Sequence, residues 1–439
     1  MNNLDKEIVS DIDIQSISQW IATGFFFDEK YFSLKNCLPR NVKHPDIKWH
    51  YAPSKRTYEE TLKQFSVNFE KIISKTYNNC RIVLPISGGL DSRTLACALM
   101  GKKNVISFSY EFEGGLEETQ YAKRIAEICG FEFHSFKIPN GYIWDEISQL
   151  SSITKCKTEF THPRQMAVME EVSSFGDILI SGSMGDLLFD SFDIPDTSTP
   201  NAILNYIMSI ICKPAGIELS EDLWEHWKLG GSSVNSIRLI LKNKLEALSI
   251  SNPASLIRAF KIENYVQNWT NVNLDVFSNY IKTCAPYHDE LMCEFVCTIP
   301  EQFLKNRQIQ IDYIKSMSPE LASIPWQKYD LNLYRYKYFN SIYFPKRIFR
   351  YANRFIKEKF LLREPLVERN WEIQFLGVDN NKELEYWLFD NPILHKIISK
   401  GLVKKYYNKF KKVDMVKYSH AISMILTLSV WCKKFWKKK

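Results

Sequence analysis

The feature that most constrains this chain is a change of period at residue 81. Arg81-Ile82-Val83-Leu84-Pro85-Ile86 is a short apolar run, the pattern of a strand buried in a parallel sheet. Ser87-Gly88-Gly89-Leu90-Asp91-Ser92 follows at once, and the spacing after it predicts a helix over 92–100. Gly88 and Gly89 lack a Cβ, so their backbone N–H groups can close around phosphate oxygens. The helix directs its positive end to the same place. Ser87 and Ser92 add hydroxyl donors. Asp91 would repel a bare phosphate, so a bridging Mg²⁺ is expected beside it. A plain glycine turn would account for Gly88-Gly89 alone, but not for the whole string between a strand and a helix. The string is not a Walker loop, which needs a Gly-Lys-Ser/Thr ending.

The same rhythm continues downstream. Strands are predicted over 104–110, 131–138 and 177–180, with helices over 117–129 and 161–175 between them. Strand and helix in alternation mean an α/β fold: a parallel sheet with helices on both faces. After about residue 195 apolar positions recur at helical spacing, and a mostly helical region is expected, interrupted around 328–338 and 364–381. Upstream, 14–27 reads as a helix stopped by Gly24 and followed by an aromatic turn region, and a second helix is expected over 57–77. The division expected is a connecting segment at 1–75, the α/β unit at 76–195 and the helical part at 196–439.

Two further signals fall at strand ends, where ligands bind on a parallel sheet. Ser181-Gly182-Ser183-Met184-Gly185-Asp186-Leu187 follows the fourth strand, so Asp186 is expected to join Asp91 around one metal ion. Taken alone, Asp186 reads better as the cap of a following helix. The third signal runs from Ser107 through Tyr110 to Gly114, then Glu117-Glu118. Its glycine allows close approach of a nucleotide base, while Glu117 and Glu118 read as a solvated helix start.

Composition excludes little. The net charge of +7 is modest and partly sits in the lysines that end the chain, so no nucleic-acid partner is expected. Ten cysteines occur without a CxxC, which suits free thiols in a reducing compartment. Cys293 and Cys297 share a helix face and read as buried thiols rather than a metal pair. The apolar stretch 421–432 is shorter than the roughly 20 residues of a membrane span. It reads as a buried helix, with a surface helix anchored by Trp431 and Trp436 as the lesser alternative. A cytoplasmic protein is expected; the oligomeric state is left open.

The six-residue loop resembles the pyrophosphate loop of the N-type ATP pyrophosphatases. With the other two signals, in this order, the chain resembles the C-terminal synthetase domain of glutamine-dependent asparagine synthetase. β-Lactam synthetase and the lasso-peptide cyclases share that superfamily. Residues 13–40, Ala285-Pro286-Tyr287-His288-Asp289 and Ile324-Pro325-Trp326-Gln327-Lys328 look like further family segments. The resemblance implies ATP and Mg²⁺, with Ser87, Gly88, Gly89, Asp91 and Ser92 on the pyrophosphate and metal. It implies Asp186 as the second metal ligand, and Tyr110, Ser181 and Gly182 at the adenosine. Lys328 would be the catalytic lysine, with Lys337 and Lys346 nearby in sequence.

The activity so implied is an AMP-forming amide ligase, passing an activated carboxylate to ammonia or an amine. Three positions depart from the family. No glutaminase segment precedes the loop, and position 2 is Asn2 rather than a nucleophilic cysteine. Ammonia from a separate glutaminase, or another amine, is therefore expected. Ser183 stands where the family has a glutamate, and Cys284 where it tends to have an arginine. The acid could be a small molecule or a peptide, the latter giving a lasso-type cyclase. The rival readings are a degenerate nucleotide-binding partner protein and a tRNA-modifying enzyme, though a catalytic CxxC and a strong basic face are both missing.

Overall fold

The computed structural model describes residues 11–27, 30–33, 47–76, 80–192, 199–339 and 370–436. Asn2, Lys346 and parts of the expected 13–40 and 364–381 segments lie outside them.

Five strands form one parallel sheet: β1 (Ile82–Pro85), β2 (Val105–Phe112), β3 (Glu132–Ile138), β4 (Ile178–Ile180) and β5 (Lys282–Cys284). Their order is β3-β2-β1-β4-β5. The chain leaves β1 toward β2 and β3 on one side, then returns to place β4 and β5 on the other. The reversal opens a crevice between the carboxyl ends of β1 and β4, where sheets of this kind bind ligands.

Side-chain alternation splits the strands between two cores. Ile82, Leu84, Ile178 and Ile180 face a core with the helices Tyr58–Thr76, Leu90–Leu99 and Thr119–Cys129. Val83 and Leu179 face the other way, toward the helices Tyr142–Thr154 and Met415–Lys434. Residues 421–432 are buried on every face, so this stretch is a core helix. Trp431 packs on Phe32 with ring centroids 4.7 Å apart and is no surface anchor. Among the described residues no single helix is long and apolar enough to cross a membrane. A third, helical cluster gathers Phe25, Ile207, Leu241 and Phe260.

Three expectations need correction. Strands do not end near 195: β5 is an edge strand of three residues, too short to carry a period-two signal. Residues 161–175 are not one helix. Pro163 precedes a 3-10 turn at Arg164–Val168 and a single α-turn at Met169–Val172. The helix Tyr142–Thr154, which follows Gly141 at φ 78°, was not anticipated. At the N-terminal side, Asp13 caps Ile14–Thr23 through Ser16 N–H at 2.9 Å, and Gly24 at φ 88° ends it.

The helix Val272–Tyr280 buries a carboxyl. Burial pushes Asp275 up to about 6, against the pull of Lys157. The unfolded carboxyl titrates near 3.9. The folded state therefore holds the extra proton between these values, and stability falls as pH rises from about 4 to about 6. Asp275→Asn is expected to be more stable than the parent by about 2–3 kcal/mol above pH 6. The difference should vanish near pH 4 in denaturant melts; a difference independent of pH would refute it.

Candidate active site

The loop after β1 is braced by its own serines. Ser87 N–H donates to Ser92 Oγ at 3.0 Å, the two hydroxyls lie 3.2 Å apart, and Gly89 N–H donates to Ser87 Oγ at 3.3 Å. Gly89 stands at the helix start and offers no side-chain cap to Leu90–Leu99. The first-turn amides are thus left to an external acceptor.

The loop after β4 presses against it. A Cβ on Gly182 would lie 3.2 Å from Asp91 Cβ and from Ser92 N. A Cβ on Gly185 would collide with Asp91 Oδ1 and lie 2.9 Å from the Tyr287 ring. Two signals 90 residues apart in sequence thus meet at the crevice. Gly185→Ala should displace the Asp91 carboxylate. A misplacement of about 1 Å costs on the order of 10²-fold in rate, so a comparable drop in any activity of this site is expected. An alanine variant with parental turnover would contradict this packing.

Asp91 is met by groups from a distant segment. Its Oδ1 accepts from Arg307 Nη2 and, at 3.0 Å, from Gln310 Nε2. Gln310 also donates to Tyr287 Oη at 3.0 Å, and Tyr287 donates to the Asp91 carbonyl at 3.4 Å. Burial pushes the Asp91 carboxyl up to about 6; Arg307 opposes the rise and the charge of Asp186 adds to it. Two carboxylates therefore share one region. Asp186 lies exposed in the first turn of the helix Gly185–Phe189, and its charge also reaches Asp190, Lys261 and Tyr265. It is not the helix cap: that position is Met184, at φ 76°.

Ser181 is buried, and its Oγ accepts from Ser183 N–H at 3.3 Å. Ser183 Oγ is buried without a hydrogen bond among the described residues. Cys284 turns aside: its thiol lies 3.4 Å from Thr76 Oγ1, and burial pushes its titration up.

The segment bearing Lys328 closes over the loop. Gln327 N–H donates to the Gly88 carbonyl at 3.2 Å, and a Cβ on Gly88 would lie 2.6 Å from Gln327 Cβ. Arg93, fully buried, holds the two together. It donates to the carbonyls of Ile324 at 2.9 Å, Pro325 at 2.8 Å and Gly88 at 3.2 Å. Lys328 itself is exposed, 5.2 Å from the Tyr329 ring centroid, and its charge is felt at Asp190. Lys337 is exposed in the 3-10 turn Tyr336–Tyr338.

Tyr110 lies at the carboxyl end of β2. Burial pushes its phenol up, with Arg164 opposing and Glu118 reinforcing the rise. Glu118 is hydrogen-bonded to Gln327 and lies within the field of Arg164. It is exposed at the start of the helix Thr119–Cys129, as the sequence predicts, and from there reaches the segment that closes over the loop.

The comparison with protein families falls on this architecture. Residues 76–211 match the model of the asparagine synthase family, a span that holds β1 to β4 and both loops. That stretch is similar to the asparagine synthase family. No curated protein matches it. The family is one of ATP-dependent synthetases of the ligase or amidotransferase type, and ATP is its substrate.

Within and beyond the matched stretch, the sequence alone does not point to Arg93, Arg307, Gln310 or Lys261. Arg93 left a trace: it is a cation among Leu90, Leu95 and Leu99, on a face that must be buried. Arg307 left none, because the carboxylate it serves is 216 residues away.

Proposed function

We propose that the chain is an ATP-dependent, AMP-forming amide ligase. The reading rests chiefly on one juxtaposition: the braced glycine loop and Asp91 packed against Gly182 and Gly185, with Asp186 beside them at the switch point. Asp91 and Asp186 suit Mg²⁺, being hard oxygen donors in a seat that already draws a cation, Arg307. Among the described residues no third His, Cys, Asp or Glu completes a metal cage. That fits an ion whose remaining ligands come from phosphate and water. When bound, Mg²⁺ supplies charge neutralisation on the departing pyrophosphate.

In the first step a carboxylate oxygen attacks the α-phosphorus of ATP. The bond to the bridging oxygen of the β-phosphate breaks, and its electron pair leaves with pyrophosphate. The first-turn amides after Gly89 and the Ser87 hydroxyl would take the charge that develops there, with Lys328 as the nearby cation of the segment that closes over the loop. In the second step an amine attacks the acyl carbon, the carbon–oxygen bond to AMP breaks, and the nitrogen loses a proton. Ser183 cannot take that proton near neutral pH. With Cys284 turned toward Thr76, this favours an acid–amine pair other than aspartate and ammonia. Either a small acid or a peptide carboxylate is compatible, with the amine drawn from ammonia, a separate glutaminase or the substrate itself.

Incubation with ATP, Mg²⁺ and panels of acids and amines should release AMP and pyrophosphate. Release of ADP and phosphate would overturn the reading.

A further inference from the structure

Arg307 occupies an unusual position for a residue beside a metal seat. Asn306 and Arg307 both adopt left-handed backbone, at φ 57° and 61°, a conformation that side chains other than glycine adopt at a cost. That geometry starts the helix Gln308–Met317 and aims the guanidinium back at Asp91. Gln310 grips the same guanidinium: its Oε1 accepts from Nε at 2.9 Å and from Nη2 at 2.7 Å. Nη1 donates no hydrogen bond among the described residues. The side chain is about a tenth exposed, so its charge is poorly screened. Asp190 also lies within its electrostatic reach.

A divalent ion on Asp91 and Asp186 would face this buried positive charge at close quarters. The two cations are therefore rivals for Asp91 until something anionic arrives between them. A nucleotide triphosphate brings enough negative charge to satisfy both. We propose that Arg307 is a tethered counter-ion that holds Asp91 in the empty site and transfers to the phosphates when nucleotide binds. The metal would then bind poorly alone and well only with nucleotide. Arg307 is thus a positioning residue that couples the two ligands, through Asp91 on one side and the unbonded Nη1 on the other. This inference rests on the ligase reading for its phosphate site.

The test is a set of binding measurements, with Mn²⁺ as the metal and α,β-methylene-ATP, which cannot be cleaved at that bond, as the nucleotide. Free Mn²⁺ is followed by electron paramagnetic resonance, with and without the analogue. In the parent chain, the analogue should raise Mn²⁺ affinity strongly. In Arg307→Gln, Mn²⁺ alone should bind roughly tenfold tighter or more, and the analogue weaker by a similar factor, within the usual range of coupling between sites. Arg307→Lys keeps the charge and should stay close to the parent, which separates the effect from a general loss of folding. Equal Mn²⁺ affinity of the parent and the glutamine variant, measured without nucleotide, would overturn the proposal while leaving the ligase reading intact. Absence of any binding of the analogue to the parent, with Mn²⁺ present, would overturn both.

Discussion

Asp91→Asn is expected to lower AMP formation by about 10²–10³-fold, the scale seen when one preorganised electrostatic group is removed from an active site. The substitution keeps shape and acceptor. The amide oxygen still receives Gln310 and Arg307, so the contacts around Tyr287 persist. What disappears is the negative charge that Asp91 shares with Asp186. The melting midpoint should therefore shift little while turnover collapses. The reading as a degenerate binding partner makes the opposite forecast: partner binding and every cellular phenotype should survive the change. Steady-state release of pyrophosphate, alongside a denaturant melt, separates the two. Parental turnover in the asparagine variant would show that the Asp91 charge takes no part in the reaction.

Arg93→Met should act on the fold first and on activity as a result. The fully buried guanidinium satisfies the Ile324 and Pro325 carbonyls at 2.9 and 2.8 Å, the latter partly buried. Methionine fills similar space and donates nothing. Leaving the buried Ile324 carbonyl unpaired costs about 1–3 kcal/mol, and the denaturant midpoint should fall accordingly. Loss of the clamp also frees the segment that carries Gln327 and Lys328 from Gly88, so residual enzyme should bind ATP more weakly. Arg93→Lys restores a charge without the planar fork that reaches several carbonyls, and recovers only part of the loss. Parental stability in Arg93→Met would show that these bonds contribute nothing net.

The legible parts of this chain are those encoded locally. β1 and β4 announce themselves as apolar runs, β3 by its alternation, and the loop at 87–92 as a string between a strand and a helix. Gly182 was assigned to the adenosine; the structure shows it and Gly185 against Asp91, a contact that strand order alone makes available. β5 was illegible because three residues of an edge strand carry no period. The interruption of 161–175 is hidden in the sequence because Met166, Met169 and Val172 keep helical spacing across the junction of the 3-10 turn and the α-turn that follow Pro163. Arg307 and Gln310 were out of reach for a different reason. Their role is set by a tertiary contact, and nothing in Lys305-Asn306-Arg307 points to a carboxylate near residue 91.

That separation has a consequence for how the protein is made. The matched stretch ends at residue 211, but the cation that balances Asp91 is translated almost a hundred residues later. One of the two cores is completed only by Met415–Lys434, whose His420 reaches back to within 3.0 Å of the Ile21 carbonyl. The glycine loop therefore emerges from the ribosome long before its site can close. Chains dominated by such distant pairings fold slowly, and their unfinished forms expose apolar surface. A fragment cut at the edges of the matched stretch should aggregate rather than bind nucleotide, and the full chain should acquire nucleotide binding late in synthesis.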